Sequence, residues 1–344
     1  MKGFDFINQN RIEIYIIKSM AILSVVSAHC YKLPIDQNGF PMYCALLLRN
    51  FGVLGVLCFF IISGYLYHPE KYTAKQMIIH KGKTIMLPWF VAGLCAVVLK
   101  KHDFVRSIQY ILGYKSMLYF LPMLIVCFVF FYFPMMRKKN ICIALILVTF
   151  VSTIWFDDFL YQLFLLPFGF NPEEWTGYLN PLNWIGYFAL GVLGQTEINC
   201  WRKFLYSRAT AILVSFVFIA TLVYQLIMES PGSYFYGGGC LLVRTSGVIL
   251  MLSWANLIGR KIENSHDVLT KTFTEIGKDS YSIYLWHFLP LHFIIALFNL
   301  PILINWVIIR PFVTVTIVAG GDILLRRISK YNNGKTLLQV FGVR

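Results

Sequence analysis

The chain has 344 residues, of which 58% are hydrophobic, 17% aromatic and only 13% charged, against roughly one quarter charged in soluble domains. That balance excludes an ordinary soluble globular protein and points to the membrane. The formal net charge of +14 does not make it a nucleic-acid binder, because the bases form no single solvated stripe but fall in short clusters between apolar runs.

Ten apolar runs are long enough to cross a hydrocarbon core, which takes about 20 helical residues. They lie near 11 to 31, 44 to 67, 84 to 100, 116 to 136, 140 to 156, 182 to 197, 209 to 228, 240 to 259, 280 to 298 and 302 to 325. The predicted fold is therefore all-α, a polytopic membrane bundle of about ten transmembrane helices, with residues 1–344 forming one membrane domain. The sixth run, PLNWIGYFALGVLGQ, is short and rich in glycine, which predicts close packing against its neighbours. No small-residue cleavage pattern follows the first run, so the first helix is expected to be retained.

The connectors set the orientation, because cytoplasmic loops carry the excess of Lys and Arg. Counting from a cytoplasmic N-terminus, the inner connectors hold Lys71, Lys75, Lys81 and Lys83, then Arg137, Lys138 and Lys139, then Arg202, Lys203 and Arg208, then Arg260, Lys261, Lys271 and Lys278. Both termini are then cytoplasmic. The loop at Lys100, Lys101, Arg106 and Lys115 dissents, while the longest outer connector, 157 to 181, carries four acids and no base. The eight cysteines are scattered, mostly inside apolar runs, without metal-ligand spacing, and read as buried thiols with no metal expected.

Charged and titratable residues inside apolar runs are costly and each needs a reason. In the first run, KSMAILSVVSAH places Lys18 and His29 eleven positions apart, which at about 100° per residue returns to nearly the same face after roughly 16 Å of rise. Lys18 reads either as a snorkelling anchor or as one end of a ligand contact, and His29 either as an interfacial histidine or as a reactive imidazole. The second run ends in FFIISGYLY, where Ser63 and Gly64 permit close approach of a neighbouring helix or of a narrow ligand. Lys81 and Lys83, at the start of the third run, suit anionic lipid headgroups or ligand phosphates. Arg49, Arg244 and Arg310 sit inside apolar runs and read either as lining a polar acceptor site or as pairing within the bundle. Asp322 is expected to pair with Arg326 four residues on.

Several of these segments resemble the integral-membrane acyltransferase 3 family, which includes bacterial O-acetyltransferases of surface glycans. Its first-helix hallmark is a basic residue, ten residues, then His, matched here by Lys18 and His29 with Lys in the usual place of Arg. FFIISGYL (59–66), KGKTIMLP (81–88), LYFLPMLI (118–125), GYFALGVLG (186–194) and GKDSYSIYLWHF (277–288) are similar to its later signatures in order, so the resemblance covers essentially the whole chain.

The resemblance implies an enzyme of the bacterial inner membrane that moves an acyl group, modally acetyl, from cytoplasmic acetyl-CoA or another acyl-CoA to a hydroxyl of a cell-surface polysaccharide or its lipid-linked precursor. His29 and Lys18 would be catalytic, and Lys18, Ser63, Gly64, Lys81 and Lys83 would hold the donor. Arg49, Arg244, Arg310 and His287, the last from the YLWHF signature, would line the acceptor site. The expected partners are membrane lipids and a glycan or other hydroxyl-bearing acceptor, and no nucleic acid. The competing class is a transporter or flippase of a small polar solute, since buried Arg and His also suit a substrate pathway.

Overall fold

The computed structural model describes residues 11–30, 40–156, 177–228, 240–262, 267–294, 309–330 and 334–343, and all regular structure among them is helical. In chain order the helices are α1 (Arg11–His29), α2 (Phe40–Tyr65), α3 (Ala74–Lys81), α4 (Leu87–Lys100), α5 (Phe104–Ile111), α6 (Phe120–Phe130), α7 (Lys139–Trp155) and α8 (Leu182–Thr196). They continue with α9 (Ile198–Leu205), α10 (Arg208–Met228), α11 (Leu241–Ile262), α12 (Val268–Trp286), α13 (Phe288–Ile294), α14 (Arg310–Ser329) and α15 (Lys335–Phe341).

A helix overlaps each of the ten apolar runs, and among the described residues four stretches are long and apolar enough to cross a membrane by themselves: Ile12–His29, Ala74–Lys100, Arg208–Gln225 and Leu241–Ile262. The second of these joins α3 to α4 through a π-helical turn at Gly82–Met86, just before Pro88, whose ring nitrogen cannot donate to the preceding turn. The run expected over 116–136 is helical only at Phe120–Phe130, about 16 Å of rise against a hydrocarbon core of about 30 Å. Pro134 opens a separate 3-10 turn beyond it.

The ninth run starts earlier than its apolar pattern, because the Asp267 side chain accepts from the Thr270 N–H and caps α12 at residue 268. Lys271 and Lys278, expected in a connector, therefore lie on a helix. The capping box of Thr73 and Gln76 starts α3 in the same way.

The contacts divide the chain into two compact units. In the first, comprising Met1–Phe59, Asn199–Phe235 and Leu242–Ile323, α1 is packed on several sides. Against α2 it packs through small residues: a Cβ on Gly52 would run into Ala28, and one on Gly55 into the Ala21 carbonyl. The Ser24 hydroxyl donates to the Phe51 carbonyl at the same contact. Against α12, Gly277 lies on the Tyr15 backbone, and Ser19 Oγ donates to the carbonyls of Tyr15 at 2.9 Å and Phe273 at 2.5 Å.

The second unit comprises Phe60–Ile198, Tyr236–Leu241 and Leu324–Arg344, and its centre is α8. Trp184, Phe188 and Val192 are almost wholly buried, as the glycine-rich sequence predicts. A Cβ on Gly64 would strike the Phe188 carbonyl, and one on Gly191 the Ile61 carbonyl, so the end of α2 and α8 cross backbone to backbone. On the other side Thr149 of α7 accepts from the Gly186 N–H at 2.8 Å and donates to the Leu182 carbonyl at 2.6 Å. Phe60 stacks on Trp184 at 5.3 Å and meets Phe120 edge-on at 4.9 Å.

In lipid, helix association depends on such close packing and interhelical hydrogen bonds. Gly64→Ala and Gly191→Ala are each expected to destabilise the protein by about 1–3 kcal/mol through forced backbone displacement. Gly320→Ala, on an open face of α14 with no atom near the added methyl, should instead gain a few tenths to about 1 kcal/mol. Thermal unfolding of the detergent-solubilised variants checks both directions.

Candidate functional site

In the first unit three of the sequence-predicted residues meet at the C-terminal end of α1. His29 is the last residue of that helix and is exposed. His287, the C-cap of α12, is fully buried, and its ring stacks on that of His29 with centroids 5.2 Å apart and planes 30° apart. The pairing follows from the packing below it: α1 and α12 run parallel, with Tyr15 held against Gly277 and His29 reaching His287.

His287 Nδ1 lies 2.8 Å from the Tyr284 carbonyl. A carbonyl oxygen only accepts, so Nδ1 carries the proton and Nε2 presents a lone pair. That Nε2 is buried and has no hydrogen-bond partner.

Arg310, at the start of α14, is buried and donates from Nη1 to the Cys30 carbonyl at 3.2 Å, next to His29 and complementing the C-terminal end of the α1 dipole. Its Nε is also buried without a hydrogen-bond partner. Bare imidazole nitrogen and guanidinium donor are the two kinds of group that proton removal and oxygen binding need.

The remaining predicted residues of this unit lie elsewhere or outside the description. Lys18 is half-buried near the middle of α1, and Ile22 and Val25, which share its face on the way to His29, are buried at 0% and 2% exposure. The face between Lys18 and His29 is thus filled by packing and is not an open track. Arg244 is buried in the first turns of α11. The Arg49 side chain is outside the described residues.

In the second unit Gly64 is taken up in the crossing with α8, so a thin ligand has no passage on that side, and Ser63 beside it is half-buried. Lys81 places its ammonium 3.9 Å from the centroid of the Phe128 ring, a cation–π contact. Lys83 is exposed and lines an open groove of about 520 Å3 with Lys71, His80, Thr84 and Gln339. The predicted lysines therefore divide, one to packing and one to a groove.

A family model described as an acyltransferase domain, that of the acyltransferase 3 family, matches residues 11–326. The chain belongs to the acyltransferase 3 family. It is a membrane acyltransferase, and the matched span contains both histidines, Arg310 and the groove residues other than Gln339. Neither the curated proteins nor the solved structures include a match to it.

Other polar contacts of this acyltransferase escaped the sequence reading. Glu13, buried in the first turn of α1, accepts from the Tyr206 hydroxyl at 2.5 Å, and the Arg260 guanidinium lies 5.0 Å over the Tyr206 ring. The signal was the lone acid in RIEIYII. Asp322 Oδ1 accepts from Ser282 Oγ of α12 at 2.8 Å, an interhelical bond that the i plus 4 pattern with Arg326 did not reveal.

Beside the groove, Glu70 lies 2.9 Å from His68 Nδ1 and 2.7 Å from Arg137 Nη1. Gln195 Nε2 meets His68 Nε2 at 2.8 Å and donates to the Tyr65 carbonyl at 2.9 Å, which ties the end of α8 to the end of α2. Partial burial of Glu70 opposes its ionisation. The backbone N–H, His68 and Arg137 together outweigh that and hold its carboxyl below the ordinary glutamate range. A lowered folded pKa stabilises above the unfolded value and is lost as pH falls through the folded one. The unfolding midpoint should therefore drop on acidification below about pH 4.5, and Glu70→Gln should flatten that dependence. Because Glu70 is half-exposed, the effect should be at most about 1 kcal/mol, readable as a shift in thermal unfolding across a pH series.

Proposed function

We propose that this membrane acyltransferase is an O-acetyltransferase of the bacterial inner membrane, with ten spans and both termini cytoplasmic. It takes the acetyl group of cytoplasmic acetyl-CoA and delivers it to a hydroxyl of a cell-surface polysaccharide or its lipid-linked precursor. The observation that carries the reading is the stacked His29–His287 pair, one ring exposed and the other buried with a bare Nε2.

In this reading His29, the accessible member, removes the proton of the acceptor hydroxyl. The acceptor oxygen attacks the thioester carbonyl, and the CoA thiolate leaves and takes up a proton. A neutral imidazole is suited to that base role near neutral pH. His287, its Nδ1–H fixed on the Tyr284 carbonyl, positions the His29 ring. Arg310 offers its Nε to an oxygen of the acceptor, and Arg244 and Arg49 are also assigned to acceptor binding.

Donor phosphates suit Lys83 and Lys71, whose ammonium groups lie on an open groove. Lys18 and Lys81 add positive charge on the same expected side of the membrane. Ser63 remains the one donor contact proposed at the end of α2, Gly64 being enclosed by α8.

Washed membranes containing the protein are expected to transfer label from acetyl-CoA to an endogenous glycan. His29→Ala should abolish transfer, and His287→Gln should lower it about 100-fold, the scale on which a misplaced catalytic group costs rate, with both variants still membrane-inserted. Lys18→Arg should keep most activity and Lys18→Ala lose it. Undiminished transfer by His29→Ala would overturn the assignment, and solute uptake by vesicles without any CoA requirement would replace it with a transporter.

A further inference from the structure

The loop that dissents from the charge bias encloses a cavity. Lys100, His102, Arg106, Gln109, Tyr110 and Lys115 contribute to its lining, and its volume is about 490 Å3. Its bases are carried by a compact turn: Lys101 caps α4 in the left-handed region at φ 53°, Asp103 caps α5, and Lys115 is again left-handed at φ 52°. Asp103 lies 3.4 Å from Arg106.

Tyr110 supplies an independent sign of a ligand. It is 3% exposed, lines the cavity, and carries the Lys100 ammonium 4.5 Å from its ring centroid. Its hydroxyl is buried without a hydrogen-bond partner, a costly state unless something binds there.

The same short helix has a second face. At about 100° per residue, Phe104, Val105, Ile108 and Leu112 fall within one arc, and Arg106, Gln109 and Tyr110 fall within the opposite one. All four apolar residues are exposed, Phe104 at 79%. Because α5 follows directly on the candidate span Ala74–Lys100, this face stands where a span ends, and an amphipathic helix there lies in the plane of the bilayer interface.

We propose that the cavity formed by Lys100, Arg106, Tyr110 and Lys115 binds the phosphate of a lipid-borne ligand whose chains lie along the apolar face of α5. The cations hold the phosphate oxygens and the Tyr110 hydroxyl donates to one of them. Both an anionic phospholipid and a polyprenyl phosphate that carries a glycan present this chemistry. The assignment stands apart from the acyl-transfer reading, since it needs neither donor nor histidine.

The test uses the full-length protein in phosphatidylcholine nanodiscs titrated with phosphatidylglycerol, polyprenyl monophosphate or uncharged polyprenol, with bound lipid counted by native mass spectrometry. At least one phosphate lipid should half-saturate at a tenfold or lower concentration than polyprenol. Arg106→Gln combined with Lys115→Gln, both on exposed positions, should raise that concentration tenfold or more, and Tyr110→Phe about fivefold. Preference for polyprenyl phosphate identifies a glycan carrier as the source, and preference for phosphatidylglycerol a membrane headgroup. Binding that is equal in wild type and the exposed double variant, or no preference for phosphate over polyprenol, overturns the proposal.

Discussion

The candidate site at the end of α1 depends on helices whose backbones come into direct contact. Lipid tails are as apolar as Leu side chains, so apolar burial alone gives two helices little reason to prefer each other over the bilayer. Close approach supplies that reason, through dispersion contacts and through side-chain hydrogen bonds that reach across a shortened gap. In one unit Gly52 and Gly55 admit Ala28 and the Ala21 carbonyl, while Gly277 admits Tyr15; in the other Gly64 and Gly191 let α2 and α8 cross. The hydroxyls of Ser24, Ser19 and Thr149 bond to neighbouring carbonyls in the same contacts.

The consequence for the candidate site is positional. His29 stands at the end of a helix held on one side by α2 and on another by α12, which fixes the point from which its ring reaches out. His287 comes to it because α12 is pinned further down at Gly277 and Ser19. The orientation of His287 is set in turn by its own helix, through the Nδ1 bond to Tyr284, and Arg310 arrives from α14 to close the end of α1. Three helices distant in sequence thereby contribute one imidazole with a bare nitrogen, one accessible imidazole and one guanidinium.

Much of this was legible before any coordinates. Composition identified a membrane protein, the apolar runs located the helices, and the order of motifs led to the family that the residue 11–326 match establishes. What was not legible divides by physical cause. Helix ends set by side-chain capping, as at Asp267, lie outside hydropathy, so α12 begins well before its apolar run. Contacts between distant helices, such as Ser282 with Asp322 or Glu13 with Tyr206, leave no periodic trace. The Ser63–Gly64 notch was readable as a place of close approach, but whether a helix or a ligand approaches depends on the position of Gly191, which the local sequence does not contain.

The eleven-residue spacing of Lys18 and His29 takes on a different meaning once the face between them is seen to be filled. A single ligand lying along that face would have to displace Ile22 and Val25, both buried, so the spacing does not require one molecule to touch both residues there. It is explained by the helix itself. With α1 fixed by Tyr15, Ser19, Ala21, Ser24 and Ala28 against its neighbours, a shift of one residue would swing His29 about 100° around the axis and away from the His287 ring. The number of residues between the lysine and the histidine is then a matter of register: it places Lys18 near the middle of one rod and His29 at its C-terminal end.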